Sequence, residues 1–127
     1  MEMKFFRCKH CGQIVGIVKN TNVPIICCGE KMIELIPNTS DGAFDKHIPV
    51  VEVDGNKVTV KVGSNKHPMV EEHYIEWIAI QTESLNQRKK LNPGEEPIAE
   101  FYIDPKDKVL KVYAYCNIHG LYELEIK

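Results

Sequence analysis

The sequence contains no apolar run approaching the roughly 18 residues that a membrane-crossing helix needs. Its first residues lack the apolar stretch and small-residue cleavage site of a secretory signal, so the expectation is a soluble, cytoplasmic protein without a membrane partner. A basic excess is missing too. Sixteen Lys+Arg stand against 18 Asp+Glu, a net charge of −2, which argues against bulk nucleic-acid binding. No internal repeat or low-complexity tract is visible. Nor is there a long apolar stripe of helical period, and Pro49, Pro68, Pro93, Pro97 and Pro105 interrupt most windows where a helix could run.

What the chain does have is cysteine, histidine and short β-prone runs. The five cysteines do not suit a disulfide framework in a reducing compartment. Four fall within 21 residues, as Cys8-x-x-Cys11 and the adjacent pair Cys27-Cys28, while Cys116 stands 88 residues further on, three before His119. The two groups need separate explanations.

Residues 1–36 form a first unit with too few large apolar side chains to build a self-sufficient core, so a metal or partner must complete it. The polar, turn-rich segment from Pro37 to Gly42 marks the boundary. Residues 37–127 then carry several strand signals. Val51 and Val53 lead into Asp54-Gly55-Asn56, and Val58, Val60 and Val62 follow in strict alternation, which predicts a hairpin with a short glycine turn. Runs at 74–80, 98–103, 109–115 and 121–126 add further strands, and the set reads as an antiparallel β-sandwich. The segment from Glu83 to Leu91, with the basic run Arg88-Lys89-Lys90, is expected to be a loop between strands.

Two cysteines separated by two residues can turn back on one ion through a tight knuckle, and Gly12 fits that turn. Cys27 and Cys28 would supply the other two thiolates. Adjacent ligands make a strained pair, because one peptide unit must aim both sulfurs at one metal. Four thiolates select Zn²⁺ or iron. A redox dithiol at Cys8 and Cys11 is the rival reading, but it leaves the adjacent pair unexplained. His10 lies inside the knuckle and is read as a surface residue.

The other four histidines, His47, His67, His73 and His119, all fall in the second unit, each at a strand edge or in a loop, and Cys116 joins them there. Separately these are ordinary surface residues. Together, at loops that one end of a sandwich can gather, they suggest a shared metal. Four neutral imidazoles and one thiolate leave an octahedral ion one open position and favour iron over a harder cation. With Fe(II) the site would be formally +1 and attract a small anion. A blue-copper site competes, but Met69 lies in the wrong place for its axial ligand and two histidines would be left over. A structural zinc module fused to an interaction domain and a pure electron carrier are the alternative classes.

In this order the motifs resemble the desulfoferrodoxins, the two-iron class of superoxide reductase. Cys8-x-x-Cys11 with Cys27-Cys28 is similar to the desulforedoxin-type iron centre. Asp45-Lys46-His47-Ile48-Pro49, His67-Pro68-Met69, Glu71 to Trp77, and Cys116-Asn117-Ile118-His119-Gly120-Leu121-Tyr122 follow the family's remaining signatures. The resemblance implies a small desulforedoxin-like module followed by an immunoglobulin-like sandwich. It also implies two irons per chain, zinc being an alternative at the four-cysteine site. His47, His67, His73 and His119 would ring the second iron, with Cys116 axial and the sixth position open. Superoxide would be reduced to hydrogen peroxide with electrons from rubredoxin or a similar carrier, by a homodimer. Lys46 is expected to draw the anion in. Asp45 stands where the family usually has a Glu that can occupy the sixth position in the oxidised state. Aspartate is one methylene shorter, and Tyr122 replaces a common Trp.

Overall fold

A computed structural model describes residues 3–40 and 42–126. The chain divides into two compact units that meet between Ile36 and Pro37.

The first unit is held by short strands. β1 (Phe5–Arg7) pairs antiparallel with β2 (Ile14–Gly16) on one side, and β5 (Ile33–Glu34) on the other. β3 (Ile26–Cys27) and β4 (Glu30–Lys31) form a separate two-residue ladder. Its buried residues, among those described, are Phe5, Cys8 and Met32, while Val18, Val23, Ile26 and Ile33 lie exposed. So few fully buried side chains offset little of the unit's backbone entropy, and a bound metal or a partner is needed to supply the difference.

The second unit opens with a single turn of helix, α1 (Phe44–His47), and is otherwise β. One sheet has three strands in the order β10 (Ile98–Tyr102), β7 (Lys57–Val62), β6 (Pro49–Asp54). The other has four, β12 (Gly120–Glu125), β11 (Val109–Cys116), β8 (Ile75–Thr82) and β9 (Asn86–Lys90). All pairings are antiparallel. Alternation fills the core: Val58, Val60 and Val62 on β7 join Ile78 and Ile80 on β8 with Val112, Ala114 and Cys116 on β11. The hairpin at Gly55-Asn56 closes between Asp54 and Lys57, with Gly55 at φ +61° as its tight turn needs. No helix among the described residues is long and apolar enough to cross a membrane.

One expectation fails. Residues 86–90 are not loop but the edge strand β9, paired with β8 from Gln81–Asn86 to Trp77–Lys90. Backbone pairing makes the strand, and its Arg88, Lys89 and Lys90 side chains are exposed, as charged edge strands commonly are. Leu91, 2% exposed, anchors its end in the core through its N–H to Glu76 O, 2.9 Å.

Candidate metal centres

In the first unit the chain reverses after Cys8. The Gly12 N–H reaches Cys8 O at 2.9 Å, with Gly12 at φ +81°, and the Cys11 N–H points at the Cys8 sulfur at 3.5 Å. The adjacent pair carries backbone strain of its own: Cys28 sits at φ +53°, a region that L-residues other than Asn and Asp rarely enter, followed by Gly29 at +76°. That twist lets neighbouring residues aim their sulfurs the same way. The sulfurs of Cys8, Cys11, Cys27 and Cys28 all lie within 4.8 Å of one another, Cys11 and Cys27 at 3.7 Å. Charge distributes unevenly over them. Hydrogen bonds, chiefly from the Cys11 N–H, bring the Cys8 thiol down to about 6, whereas the neighbouring sulfurs of Cys8 and Cys11 push Cys27 up to about 12. Neighbouring sulfurs raise Cys28 in the same direction as Cys27, and a cation among the four would favour the thiolate form. His10 is exposed and bonds to Glu30 Oε1 at 2.9 Å, outside the sulfur group.

The second centre gathers at one end of the sandwich, because that end is where its bearers begin and stop. α1, with His47, precedes β6, and the start of β6 pairs with the end of β7 through Pro49 and Val62. His67 follows β7 and returns its N–H to Val62 O at 2.9 Å. His73 lies two residues before the start of β8, whose first residue Ile75 pairs with Cys116, the last of β11. His119 sits in the turn into β12, with Gly120 at φ +86°. A register shift between Tyr115 and Cys116 leaves Glu76 as an extra residue on β8, so that Ile75 faces Cys116. Bulges recur beside functional sites because they re-aim a side chain in this way.

Backbone carbonyls orient two of the rings. His47 Nδ1 donates to Ala43 O at 2.6 Å and His67 Nδ1 to Pro68 O at 2.7 Å, which leaves both Nε2 lone pairs facing inward. Those two nitrogens are 3.1 Å apart, and His119 Nδ1 is 3.0 Å from His47 Nε2. Ring centroids run 4.5 Å from His47 to His67, 4.7 Å to His73, 5.3 Å to His119 and 4.8 Å back to His47, with 6.2 Å across from His47 to His73. His47 and His73 thus stand farther from each other than from either neighbour, while His119 joins the other rings through its contacts with His47 and His73 and lies outside the tightest donor group. His47, His67, His73 and Cys116 place their donor atoms within 4.8 Å of one another, and Cys116 Sγ is 3.9 Å from His119 Nδ1.

Burial lowers the basicity of three of the imidazoles, His67 to about 4 and His47 and His73 in the same direction, which favours the neutral form that ligates a metal. Burial also raises the Cys116 thiol, opposed by the backbone N–H groups of His119, 3.5 Å from the sulfur, and Ile118. His73 Nε2 is buried without a hydrogen-bond partner among the described residues. An orphaned imidazole nitrogen amid inward-facing lone pairs fits a cation and fits little else. His47 and His67 are buried, while His73 and His119 are half-buried, which opens the ring towards solvent on their side. Lys46 is exposed, and its charge is felt at His73. The Asp45 carboxylate accepts from Asn65 Nδ2 at 2.7 Å.

Several supporting residues escaped the sequence reading. A Cβ on Gly42 would lie 2.5 Å from Tyr122 Oη and 2.8 Å from His119 Cγ, and one on Gly63 would lie 2.7 Å from Asp45 O. Tyr122 is fully buried, its ring 4.7 Å from that of His47. Asn117 accepts from the Tyr74 N–H at 3.0 Å and donates to Glu72 O at 3.1 Å, tying the His73 segment to the Cys116 turn. In the sequence, Gly42 looks like part of a polar linker and Gly63 like the end of a strand; only their positions among motif residues hint at more.

A β-rich chain with one four-thiolate cluster and one imidazole–thiolate cluster, each on its own unit, is a non-haem metalloprotein with two centres. Its sequence matches the family model described as desulfoferrodoxin over residues 39–125 and that for the desulfoferrodoxin N-terminal domain over residues 1–35. It is 47% identical to a desulfoferrodoxin homolog of Archaeoglobus fulgidus, over 95% of each chain, and 43% identical to the desulfoferrodoxin of Nitratidesulfovibrio vulgaris, over 98% of this chain and 97% of that one. The crystal structure of the superoxide reductase from Treponema pallidum superposes with a TM-score of 0.84 at 37% identity, covering 98% of this chain and 100% of that chain. The chain belongs to the desulfoferrodoxin family, and its two clusters match the family's two iron centres.

Proposed function

We propose that the protein is a superoxide reductase that turns superoxide into hydrogen peroxide at an iron held by His47, His67, His73, His119 and Cys116. The observation that carries this reading is the nitrogen spacing. Neighbouring nitrogens held at right angles on one metal by bonds of about 2.0–2.1 Å would stand about 2.8–3.0 Å apart (bond length times √2), close to the 3.1 and 3.0 Å that separate His67 Nε2 and His119 Nδ1 from His47 Nε2. Held there, iron supplies the single electron that, with two protons, converts superoxide to peroxide without releasing O₂.

The chain's own residues do the rest. Lys46 adds positive potential beside the half-buried His73, on the side where the ring meets solvent, and so raises the encounter rate with a small anion. Cys116 gives the site one soft, electron-donating ligand, moderated by N–H groups of the turn that carries His119. Ala43 O and Pro68 O keep the protons of His47 and His67 on the outer nitrogens. Water at the open side is the proton source. Cys8, Cys11, Cys27 and Cys28 hold the second iron, which either relays electrons or secures the first unit. Rubredoxin or a similar carrier is the proposed donor. A homodimer is the proposed assembly, as the family resemblance implies.

The test is a product count. Reduced protein exposed to a superoxide pulse under anaerobic conditions should yield one peroxide for each superoxide consumed, with no O₂. Release of one O₂ for every two superoxides would identify a dismutase and overturn the reading.

A further inference from the structure

We propose that Asn65 is a positioning residue for this site, clamping the Asp45-Lys46 segment so that Lys46 stays beside the imidazoles and the Asp45 carboxylate is engaged elsewhere. The inference rests on the superoxide reductase reading for its consequence, though not for its geometry. Ala43, Phe44, Asp45 and Lys46 are all exposed, and the one apolar contact between buried Gly42 and buried His47 that the ring geometry shows is Phe44, more than half exposed, edge-on to Tyr122 at 6.2 Å between centroids. Ordering such a segment costs backbone entropy at each residue, and something must offset it.

The turn after β7 does so. The Asn65 N–H donates to Asp45 O at 2.9 Å, Ser64 Oγ to the same oxygen at 3.1 Å, and Asn65 Nδ2 to Asp45 Oδ2 at 2.7 Å. Gly63 lets the two backbones approach. A Cβ there would stand 2.7 Å from Asp45 O, 2.9 Å from the Lys46 carbonyl carbon and 3.0 Å from Ile48 O. The same turn leads to His67, whose N–H returns to Val62 O. One short turn thus places an imidazole and fixes the neighbouring lysine-bearing segment against it. A carboxylate accepting a charge-assisted bond from Asn65 is no longer free to swing towards a metal.

Asn65→Ala and Asp45→Ala, each in the full metal-loaded chain, test the clamp by amide hydrogen exchange at residues 45–47. Exchange should accelerate on the order of five-fold in either variant and no further in the double variant, because both remove one shared interaction. In Asn65→Ala, superoxide consumption should also slow and lose part of its ionic-strength dependence, with metal content unchanged. Unaltered exchange in Asn65→Ala, or additive effects in the double variant, would overturn the clamp. Faster exchange with an unaltered salt dependence would overturn the positioning role. Wild-type protein that fails to consume superoxide would sink the functional reading instead, and the exchange data would still decide the clamp.

Discussion

Gly42→Ala should damage the second centre although residue 42 offers no ligand. The added methyl would meet Tyr122 Oη at 2.5 Å, His119 Cγ at 2.8 Å and His119 Cβ at 3.0 Å. Ordinary contact begins near 3.4 Å, so two neighbours must each move by more than half an ångström. Tyr122 is fully buried with its ring 4.7 Å from that of His47, so a retreat of Tyr122 would press on that imidazole. Overpacking of this kind costs about 1–3 kcal/mol. In a unit of this size each kcal/mol lowers Tm by about 4–8 °C, so a fall of about 10 °C is expected. Tyr122→Phe by itself should cost under about 1 kcal/mol, since the hydroxyl has no hydrogen-bond partner among the described residues. Combined with Gly42→Ala it should recover part of the loss, because the closest clash disappears while the one with His119 stays. Thermal unfolding followed by circular dichroism, with metal content measured alongside, makes the comparison. A Gly42→Ala protein with wild-type Tm and full metal would refute the close packing assigned to this glycine.

Lys46→Ala should lower the second-order rate with superoxide on the order of ten-fold at low salt and flatten its ionic-strength dependence, measured by pulse radiolysis, with iron still bound. Cys116→Ser should abolish the sulfur-to-iron charge-transfer absorption in the visible spectrum of the oxidised protein. Cys8→Ser should unfold the first unit, seen as collapse of its amide dispersion by NMR, because among the described residues only Phe5 and Met32 are buried there beside that sulfur. Asp107 gives a pH prediction. Hydrogen bonds from Ser84 and Thr82 hold its carboxyl below the usual range, and it also accepts the Glu83 N–H at 3.1 Å. Its folded pKa lies under its unfolded one, so its stabilisation is full above about pH 4 and lost as pH falls through the lowered value. Asp107→Ala should therefore be less stable than wild type at neutral pH in urea titrations, with the gap closing in acid.

The two clusters were legible in the sequence because their cysteines and histidines sit within short motifs, and the structure gathers Cys8, Cys11, Cys27 and Cys28 in one and His47, His67, His73 and Cys116 in the other. The sandwich was legible where alternation was strong, as in Val58, Val60 and Val62, whose three side chains all enter the core. β9 was hidden because an edge strand owes its place to backbone bonds with β8 and carries lysines in place of alternating apolar residues. The supports of the second centre were hidden for a related reason. Ala43 O, Pro68 O and the bond from the Asn65 N–H to Asp45 O depend on main-chain groups that every sequence possesses. Gly42 and Gly63 are needed for the side chain they lack, and which neighbours fill that space is known only once residues far apart in sequence come together.

Anomalous diffraction at the iron edge tests the central claim most directly. Two peaks per chain are predicted, one among the sulfurs of Cys8, Cys11, Cys27 and Cys28. The other should lie within bonding distance of Nε2 of His47, His67 and His73, Nδ1 of His119 and Sγ of Cys116, with one coordination position open in the ferrous protein. An iron there that is not bonded to Cys116, or a ferrous centre whose remaining position is filled by a protein side chain, would contradict the account.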